Sequence, residues 1–364
     1  MKFKYLRHFI ALALLSVCAS AFAQSARPPV CESQDDEPLF FHRYPGVVNV
    51  YLENDLFANR DQDYTSGFKV AWVSPNLSDF SADRCLPPWL RAASRYLTRL
   101  HPGPKNDQYD RRNVVFTLGQ AMFTPGDRTR TDLIVNDRPY AGLATFGFAY
   151  NARNDWQMDT FEVNMGMVGP ASGARQAQNL IHKLRGFDTF QGWDNQIPNE
   201  LAFLVTYERK HKWFQTPISR GFDYDLITHA GISLGNVRTS LNAGGEARIG
   251  FNIPDDFGTS PIRPAGDNNA PHPSAKPFDP RTAGAHIFAS VDARAVARDI
   301  SLDGTLFSDS HSVKRKPFVA DASVGVAFNY ASMKLGFSRV FRTREFVGQP
   351  KTARFGSVTF SLEY

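Results

Sequence analysis

The chain has few cysteines and lacks the short motifs of protein zinc sites. Only three cysteines occur in 364 residues, and neither a Cys-x-x-Cys nor a His-Glu-x-x-His pattern is present. These absences argue against a structural or catalytic zinc ion. Beyond the first 23 residues, no apolar run approaches the roughly 18–20 residues that a membrane-spanning helix needs. Insertion into a membrane through apolar helices is therefore excluded.

A strong charge of one sign is also missing. The formal net charge is +5 and the isoelectric point is about 9.0, with basic residues scattered along the chain. A modest positive balance favours an anionic surface or ligand. It does not supply the clustered basic patch that nucleic-acid binding requires. We therefore expect no nucleic-acid partner.

The first 23 residues have the pattern of a secretory signal peptide. Lys2, Lys4 and Arg7 precede an apolar run, and Ala21-Phe22-Ala23 supplies the small residues of a cleavage site. We therefore exclude residues 1–23 from the fold and treat residues 24–364 as one exported domain. Lipid attachment at Cys18 is the weaker alternative, because the preceding Val17 is bulky.

Two cysteines remain in the exported part of the chain, Cys31 and Cys85. Disulfides persist in an oxidising compartment. The sequence leaves two readings open, a disulfide between them or two free thiols.

Apolar and polar residues alternate with a period of two in many segments, for example at Phe68, Val70 and Trp72 and at Val324, Val326 and Phe328. A secreted sandwich would alternate as well, but its strands are usually shorter. Strands of about ten residues with one apolar face and flanking aromatic residues predict an all-β fold, a transmembrane antiparallel β-barrel of the bacterial outer membrane. The twelve predicted strands span 46–57, 63–74, 112–123, 138–151, 156–168, 198–212, 221–235, 238–252, 283–298, 317–330, 332–342 and 353–364.

Residues 299–308 could extend a hairpin or add a strand, although barrels of this type favour an even number. With both termini in the periplasm, the connection at 169–197 lies outside the cell. It contains a predicted helix at 170–186, with Pro170 near its start, Gly186 at its end and His182 in its last turns.

Two further segments are insertions into the barrel pattern. Residues 75–111 form a periplasmic insertion with a helical pattern at 87–100, beginning at a proline and carrying leucines on one face. Residues 254–281 contain seven prolines, which predicts a mobile loop rather than a second domain.

The stretch from Tyr51 to Trp72 is the most informative part of the chain. It gathers polar oxygens where two alternating strands meet, at Glu53, Asn54, Asp55, Asp61, Asp63 and Thr65. Because burying unpaired carboxylates is costly, this group predicts a binding site and not a packed core.

Purely structural roles for the same residues are the alternative to a binding site. Asp55 could pair with Lys69 across a polar lumen, and Thr65 is a common strand residue. Asp61 and Asp63 suit a turn. Glu53 faces the opposite side of a regular strand from Asn54, which favours a structural role.

Three ordered motifs complete the pattern: Glu53-Asn54-Asp55, Asp63 to Gly67, and Gly169-Pro170 followed by Gln178-Asn179 and His182, with Gly192 to Gln196 after them. In this order they resemble the outer-membrane lipid A 3′-O-deacylases of LpxR type. The resemblance implies a twelve-stranded barrel that removes the 3′-linked acyloxyacyl chain of lipid A in a calcium-dependent ester hydrolysis. It also implies a site between the barrel wall and a helix of an outer loop.

The resemblance assigns catalytic roles to Asn54, Asp55, Thr65 and His182. The family also has a lysine after the segment matched by Gln120 to Pro125, where this chain has Arg128, Thr129 and Arg130. Arg130 could keep the charge, although arginine and lysine differ in shape and hydration.

The residue chemistry agrees with these roles. A histidine can take a proton from water near neutral pH, which makes His182 the candidate general base. Calcium prefers oxygen ligands and can stabilise a developing oxyanion. Asp55 is the first-choice ligand, with Asn54 and Thr65 as ligands or positioning groups. A serine nucleophile, Ser66 or Ser172, is not excluded.

Arg128, Arg130 and Lys183 lie near the outer rim in this topology and could bind the phosphates of lipid A, although solvated rim charges are the default. The predicted partners are lipopolysaccharide and outer-membrane lipid, and we expect a monomer. The alternatives are a non-enzymatic barrel, either a porin or a structural protein, and an outer-membrane phospholipase.

Overall fold

The computed structural model describes residues 46–54, 63–77, 79–84, 86–97, 109–219, 221–259, 261–262, 265 and 283–364, excluding the side chains of 63–65, 97, 185 and 219. The signal segment, Cys31, Cys85 and Asp55 lie outside these residues, so the predictions that concern them stay predictions.

Twelve antiparallel strands close into a barrel in which each strand pairs with its sequence neighbours and the first pairs with the last. This confirms the predicted fold class and strand number. We call the end of the barrel at Val47 and Glu363 the terminal rim and the end at Asn54 the loop rim. The strands are β1 Val47–Asn54, β2 Asp63–Val73, β3 Arg111–Thr124, β4 Ala141–Arg153, β5 Gln157–Val168, β6 Glu200–Ser219, β7 Phe222–Gly235, β8 Arg238–Phe251, β9 Gly284–Asp299, β10 Phe318–Tyr330, β11 Met333–Arg342 and β12 Ala353–Glu363.

Strand β6 is longer than the alternation predicted. Its pairing with β7 continues past Lys212 through two register shifts, and the second follows Pro217. Proline cannot donate to the ladder and is tolerated at such irregularities. The register shifts interrupt the alternation that placed the end of this strand at residue 212.

Three helices accompany the barrel in the described part of the chain: α1 Pro88–Leu97, α2 Ala174–Arg185 and α3 Ile300–Asp303. The first two match predicted helices. The suggestion that 299–308 adds a strand was wrong, because Asp299 accepts a hydrogen bond from the Ser301 N–H and begins a helical turn. None of the described helices is long and apolar enough to span a membrane.

The two faces of each strand have different surroundings. Many large apolar side chains on the outside are exposed, among them Leu118, Phe146, Met165 and Leu201, as expected of a wall that faces lipid. The inside is polar and ion-paired. Buried Asp225, for example, accepts hydrogen bonds from Arg248, and both side chains are fully buried. Pairing of this kind offsets the cost of keeping charges away from water.

The described part of the proline-rich segment is bound to the barrel wall, and the mobility of the segment stays a prediction. Its first residues enter the lumen, and we call the described residues 254–259, 261–262 and Ala265 the lumen plug. Asp256 binds Arg248 and Lys334, the latter at 2.6 Å between Oδ2 and Nζ. The prolines suit this position because they add no N–H groups that the lumen must satisfy.

The plug runs from the terminal rim toward the loop rim. Above Asp256, the backbone N–H of Thr259 donates to Glu246, and that of Ile262 donates to Glu53 Oε1 at 2.6 Å. Lys210 Nζ donates to the Ala265 carbonyl at 2.8 Å. Charged wall residues therefore hold the backbone of the plug along the lumen.

Candidate active site

The connection between β5 and β6 folds back onto the outer wall of the barrel at the loop rim. A Cβ placed on Gly142 of β4 would overlap the Ser172 hydroxyl and the Ala174 side chain. Gln120 of β3 donates from Nε2 to the Ser172 carbonyl at 2.7 Å. The start of α2 thus sits directly against β4, where only glycine leaves enough room.

An apolar cluster on the outer wall holds this connection in place. It consists of Met122, Tyr140, Ala174, Phe190 and Trp193. The Trp193 indole N–H donates to Gln178 Oε1 at 2.6 Å. This hydrogen bond joins the segment between α2 and β6 to the helix. Burial raises the pKa of the Tyr140 hydroxyl to about 12, so Tyr140 is a neutral phenol at physiological pH.

His182 lies on the wall-facing side of α2, which ends three residues later. Its side chain is only 2% exposed, and its ring makes T-shaped contacts with the rings of Phe187 and Phe190. The helix ends at Gly186 in the left-handed conformation, with φ of 71°. After this turn the Phe187 N–H donates to the His182 carbonyl at 2.9 Å.

This turn also determines which ring nitrogen of His182 can act as a base. His182 Nδ1 lies 2.7 Å from the Asp188 carbonyl oxygen. A carbonyl can only accept, so Nδ1 carries the hydrogen and Nε2 of the neutral ring keeps its lone pair. The backbone therefore selects the tautomer that general-base catalysis at Nε2 needs.

Asn54 lies at the same rim and on the same outer wall. It shares the outward face of β1 with exposed Leu52, whereas Glu53 points inward to the plug. The strand register puts Asn54, Ser66, Met122 and Gly142 in one row across β1 to β4. Helix α2 packs on β3 and β4 at the far end of this row.

Thr65 occupies an irregular position in the same region. The pairing of β2 with β3 passes from Tyr64 opposite Phe123 to Ser66 opposite Met122, so Thr65 is the extra residue of a β-bulge. Bulges re-aim side chains and are common beside active sites. The side chain of Thr65 lies outside the description, as does Asp55. Lys69, the alternative partner of Asp55, is buried with its Nζ 5.8 Å from the Tyr51 ring centroid.

The comparison with family models decides the affiliation of the chain. The model described as "Outer membrane protein LpxR" matches residues 9–364. The chain belongs to the LpxR family. It is an outer-membrane β-barrel protein, with the twelve-stranded closure described above.

One solved structure agrees with this family at the level of the fold. LpxR from Salmonella typhimurium superposes with a TM-score of 0.66 at 17% identity, covering 87% of this chain and 99% of that one. The β domain of the Bordetella autotransporter BrkA gives a TM-score of 0.40 at 7% identity, covering 87% and 98%. No match was found among curated proteins.

Basic residues surround α2 in this LpxR-family protein, and most of those with described side chains are paired with aspartates. Arg130 bonds Asp132, which raises the pKa of its guanidinium. Arg128 lies 3.7 Å from Asp188, and Arg175 lies 2.6 Å from Asp194. Lys183 is exposed beside His182. Ion pairs this exposed are weak, so the arginines can exchange these partners for another anion.

Two further features of the described residues are the placement of potential metal-binding side chains and the surroundings of the candidate serines. They contain no group of three or more His, Cys, Asp or Glu side chains placed to hold a metal ion. The hydroxyls of the two candidate serine nucleophiles donate to backbone carbonyls, Ser66 to Glu53 at 3.2 Å and Ser172 to Gly169 at 2.6 Å.

The chain contains one further serine pattern. Gly231 to Gly235 has the Gly-x-Ser-x-Gly spacing of a nucleophile elbow, but that motif requires a sharp turn between a strand and a helix. Here it lies within β7, and Ser233 is buried in the lumen at 3.1 Å from the Thr206 hydroxyl. The pattern is structural in this chain.

Sequence reasoning also missed Gly142 and the carbonyl of Asp188. The only available signal for Gly142 was the small outward-facing pair Gly142 and Ala144, at positions where other strands carry large lipid-facing residues. No sequence signal could identify a backbone carbonyl as the partner of His182.

Proposed function

We propose that this protein is a lipid A 3′-O-deacylase of the outer membrane, which hydrolyses the ester of the 3′-linked acyloxyacyl chain at the loop rim. The main support is His182, buried on a helix against the outer wall, with Nδ1 bonded to the Asp188 carbonyl and Nε2 left as the proton acceptor. A site on the outer wall meets its lipid substrate from within the membrane.

His182 acts on water in the proposed reaction. Nε2 accepts a proton while the water oxygen attacks the ester carbonyl carbon, and the Asp188 carbonyl stabilises the resulting imidazolium through Nδ1–H. When the bond between the carbonyl carbon and the sugar oxygen breaks, Nε2–H returns the proton to that oxygen. The products are a carboxylic acid and the free 3′-hydroxyl.

Calcium belongs to the same proposal, with Asn54, Asp55 and Thr65 as the groups that would hold it. All three offer oxygen, as a hard cation requires. Asn179, one turn before His182, has a buried Oδ1 with no hydrogen-bond partner among the described residues, which adds a further free oxygen on α2. A bound calcium ion would supply positive charge for the oxyanion that develops on the ester.

The basic residues around α2 are proposed to bind the phosphates of lipid A. Arg128 and Arg130 would exchange their exposed aspartate partners for phosphate, and Lys183 would add a third charge. Arg130 is proposed to take the place of the family lysine, although it is paired with Asp132 in the structure.

The lumen plug argues against the porin alternative. It occupies part of the lumen that a porin leaves open, and charged wall residues bind it at Asp256, Ile262 and Ala265. Export through a signal peptide at residues 1–23 and a monomeric state are part of the proposal. N-terminal sequencing of the mature protein and light scattering test them.

The decisive experiment is mass spectrometry of lipid A incubated with purified protein. The wild type should remove the mass of one acyloxyacyl chain, and His182→Ala should not. Gln176→Ala, on the exposed side of the same helix, is the matched control and should remain active. Heat-modifiable migration in electrophoresis verifies that each barrel is folded. If the folded wild type leaves the lipid A mass unchanged with and without calcium, the proposal is wrong.

A further inference from the structure

The periplasmic insertion covers the outer wall of the barrel at the terminal rim. Outward-facing Trp72, Val114 and Tyr150 pack against Leu77, Phe80, Leu86 and Leu90 of the insertion in one buried cluster. The hydroxyls of Ser94 on α1 and Tyr150 on β4 lie 2.7 Å apart. Helix α1 therefore lies beside the barrel, on a wall that lipid would otherwise contact.

The side of α1 that faces away from the barrel is aromatic. Leu90 and Ser94 are buried against the wall, whereas Trp89 is 63% and Tyr96 is 71% exposed. Residues seven apart lie on one face of a helix, so the two aromatic side chains form a stripe opposite the buried side. Tryptophan and tyrosine are the residues enriched where a membrane meets water.

The helix and the residues just before it are also basic. Residues 84–97 contain Arg84, Arg91 and Arg95 and no acidic residue. Basic residues on an amphipathic helix attract anionic lipid headgroups.

The level of α1 along the barrel matches the membrane interface. Exposed aromatic side chains mark the terminal rim elsewhere around the wall, with Trp156 at the turn between β4 and β5 and Tyr330 at the end of β10. Trp72, which α1 and its flanking residues cover, lies next to the end of β2 at the same rim. Aromatic girdles of barrels lie at the level of the headgroups.

We propose that α1 is an interfacial helix that binds anionic glycerophospholipids of the leaflet at the terminal rim. Trp89 and Tyr96 insert at the boundary between headgroups and acyl chains, and Arg91 and Arg95 bind the phosphates. The inference is independent of the proposed enzymatic function, because it concerns the opposite rim and a different lipid class.

The test uses the fluorescence of Trp89 in the intact protein. The chain has five tryptophans, so the difference between the wild type and Trp89→Phe isolates this side chain. Both proteins are reconstituted in vesicles of phosphatidylcholine, with or without phosphatidylglycerol, using lipids brominated high on the acyl chain. We expect brominated lipid to quench at least half of the difference signal and aqueous iodide to quench little of it.

The charge component is tested with the double variant Arg91→Gln and Arg95→Gln. Phosphatidylglycerol should increase the quenching of Trp89 by brominated lipid in the wild type, and the double variant should lose at least half of that increase. Lys351→Gln, an exposed basic residue at the loop rim, should retain it.

Two results would overturn the inference. Quenching of the Trp89 signal by iodide and not by brominated lipid would show that this face meets water, as expected if a periplasmic protein covers it in the cell. An equal response of the wild type to vesicles with and without phosphatidylglycerol would remove the anionic preference. Heat-modifiable migration confirms folding of each variant, so a misfolded barrel cannot be mistaken for either result.

Discussion

Replacing Gly142 with alanine should separate the folding of the barrel from the chemistry at its outer wall. The added methyl group would overlap Ser172 and Ala174 at the start of α2. The barrel itself does not depend on this contact, because its strands pair with each other around the full circle. We therefore expect a folded barrel with a displaced helix.

The size of the effect follows from the geometry. The start of α2 must move by about 1 Å to regain an ordinary contact, and a displacement of that size at a catalytic group costs roughly 100-fold in rate. His182 lies eight residues further along the same helix, so it moves with the helix start. We expect about a 100-fold loss of deacylation in Gly142→Ala.

The assay compares lipid A deacylation rates by mass spectrometry, with heat-modifiable migration as the folding check. Gly119→Ala is the matched control, because a Cβ at this strand position has no neighbour closer than 3.4 Å, and its rate should stay close to that of the wild type. A folded Gly142→Ala protein with the wild-type rate would show that the close contact between α2 and β4 does not position the catalytic group.

Four further results are expected. Chelation should abolish deacylation and added calcium should restore it, as measured by the mass of lipid A. Asn54→Ala should lower the rate about 100-fold, whereas the adjacent inward-facing Glu53→Gln should leave the rate unchanged. Asp256→Ala should leave Arg248 and Lys334 without this partner, cost about 3–5 kcal/mol, and raise conductance in planar bilayers, where the wild type should conduct little. Burial alone would raise the pKa of Asp256, but Lys334 and Arg248 hold it below its usual range. At neutral pH Asp256 should therefore be fully ionised and should hold the lumen plug closed against ions. This closure should weaken only as the pH falls below the ordinary aspartate range. An unchanged conductance in Asp256→Ala would contradict the role of the plug.

The barrel could be predicted because its pattern is local and repeated. The two sides of each strand meet lipid and a polar lumen, so the alternation that reports them is strong even in a single sequence. The alternation did not predict the end of β6, because the strand pairing is irregular after Lys212. It also did not predict the helical turn that begins at Ile300, where a further strand was one of the readings.

The candidate site was predictable only in part. His182 and its helix could be placed from the spacing of Pro170 and Gly186. Its hydrogen-bond partner, the Asp188 carbonyl, belongs to the backbone and has no signature in the sequence.

The position of the proline-rich segment was also not predictable from the sequence. Its composition resembles that of unstructured loops, yet wall residues distant in sequence, such as Glu53 and Lys334, hold its described part. Such long-range partners cannot be inferred from local composition.

The alternation of β1 places two consecutive residues on opposite sides of the barrel wall. Glu53 serves the lumen and Asn54 serves the outer surface, so the two surfaces can be altered separately. An engineer could remove the plug, leave the outer wall untouched, and obtain a nanopore that keeps the proposed deacylase site on its outer surface.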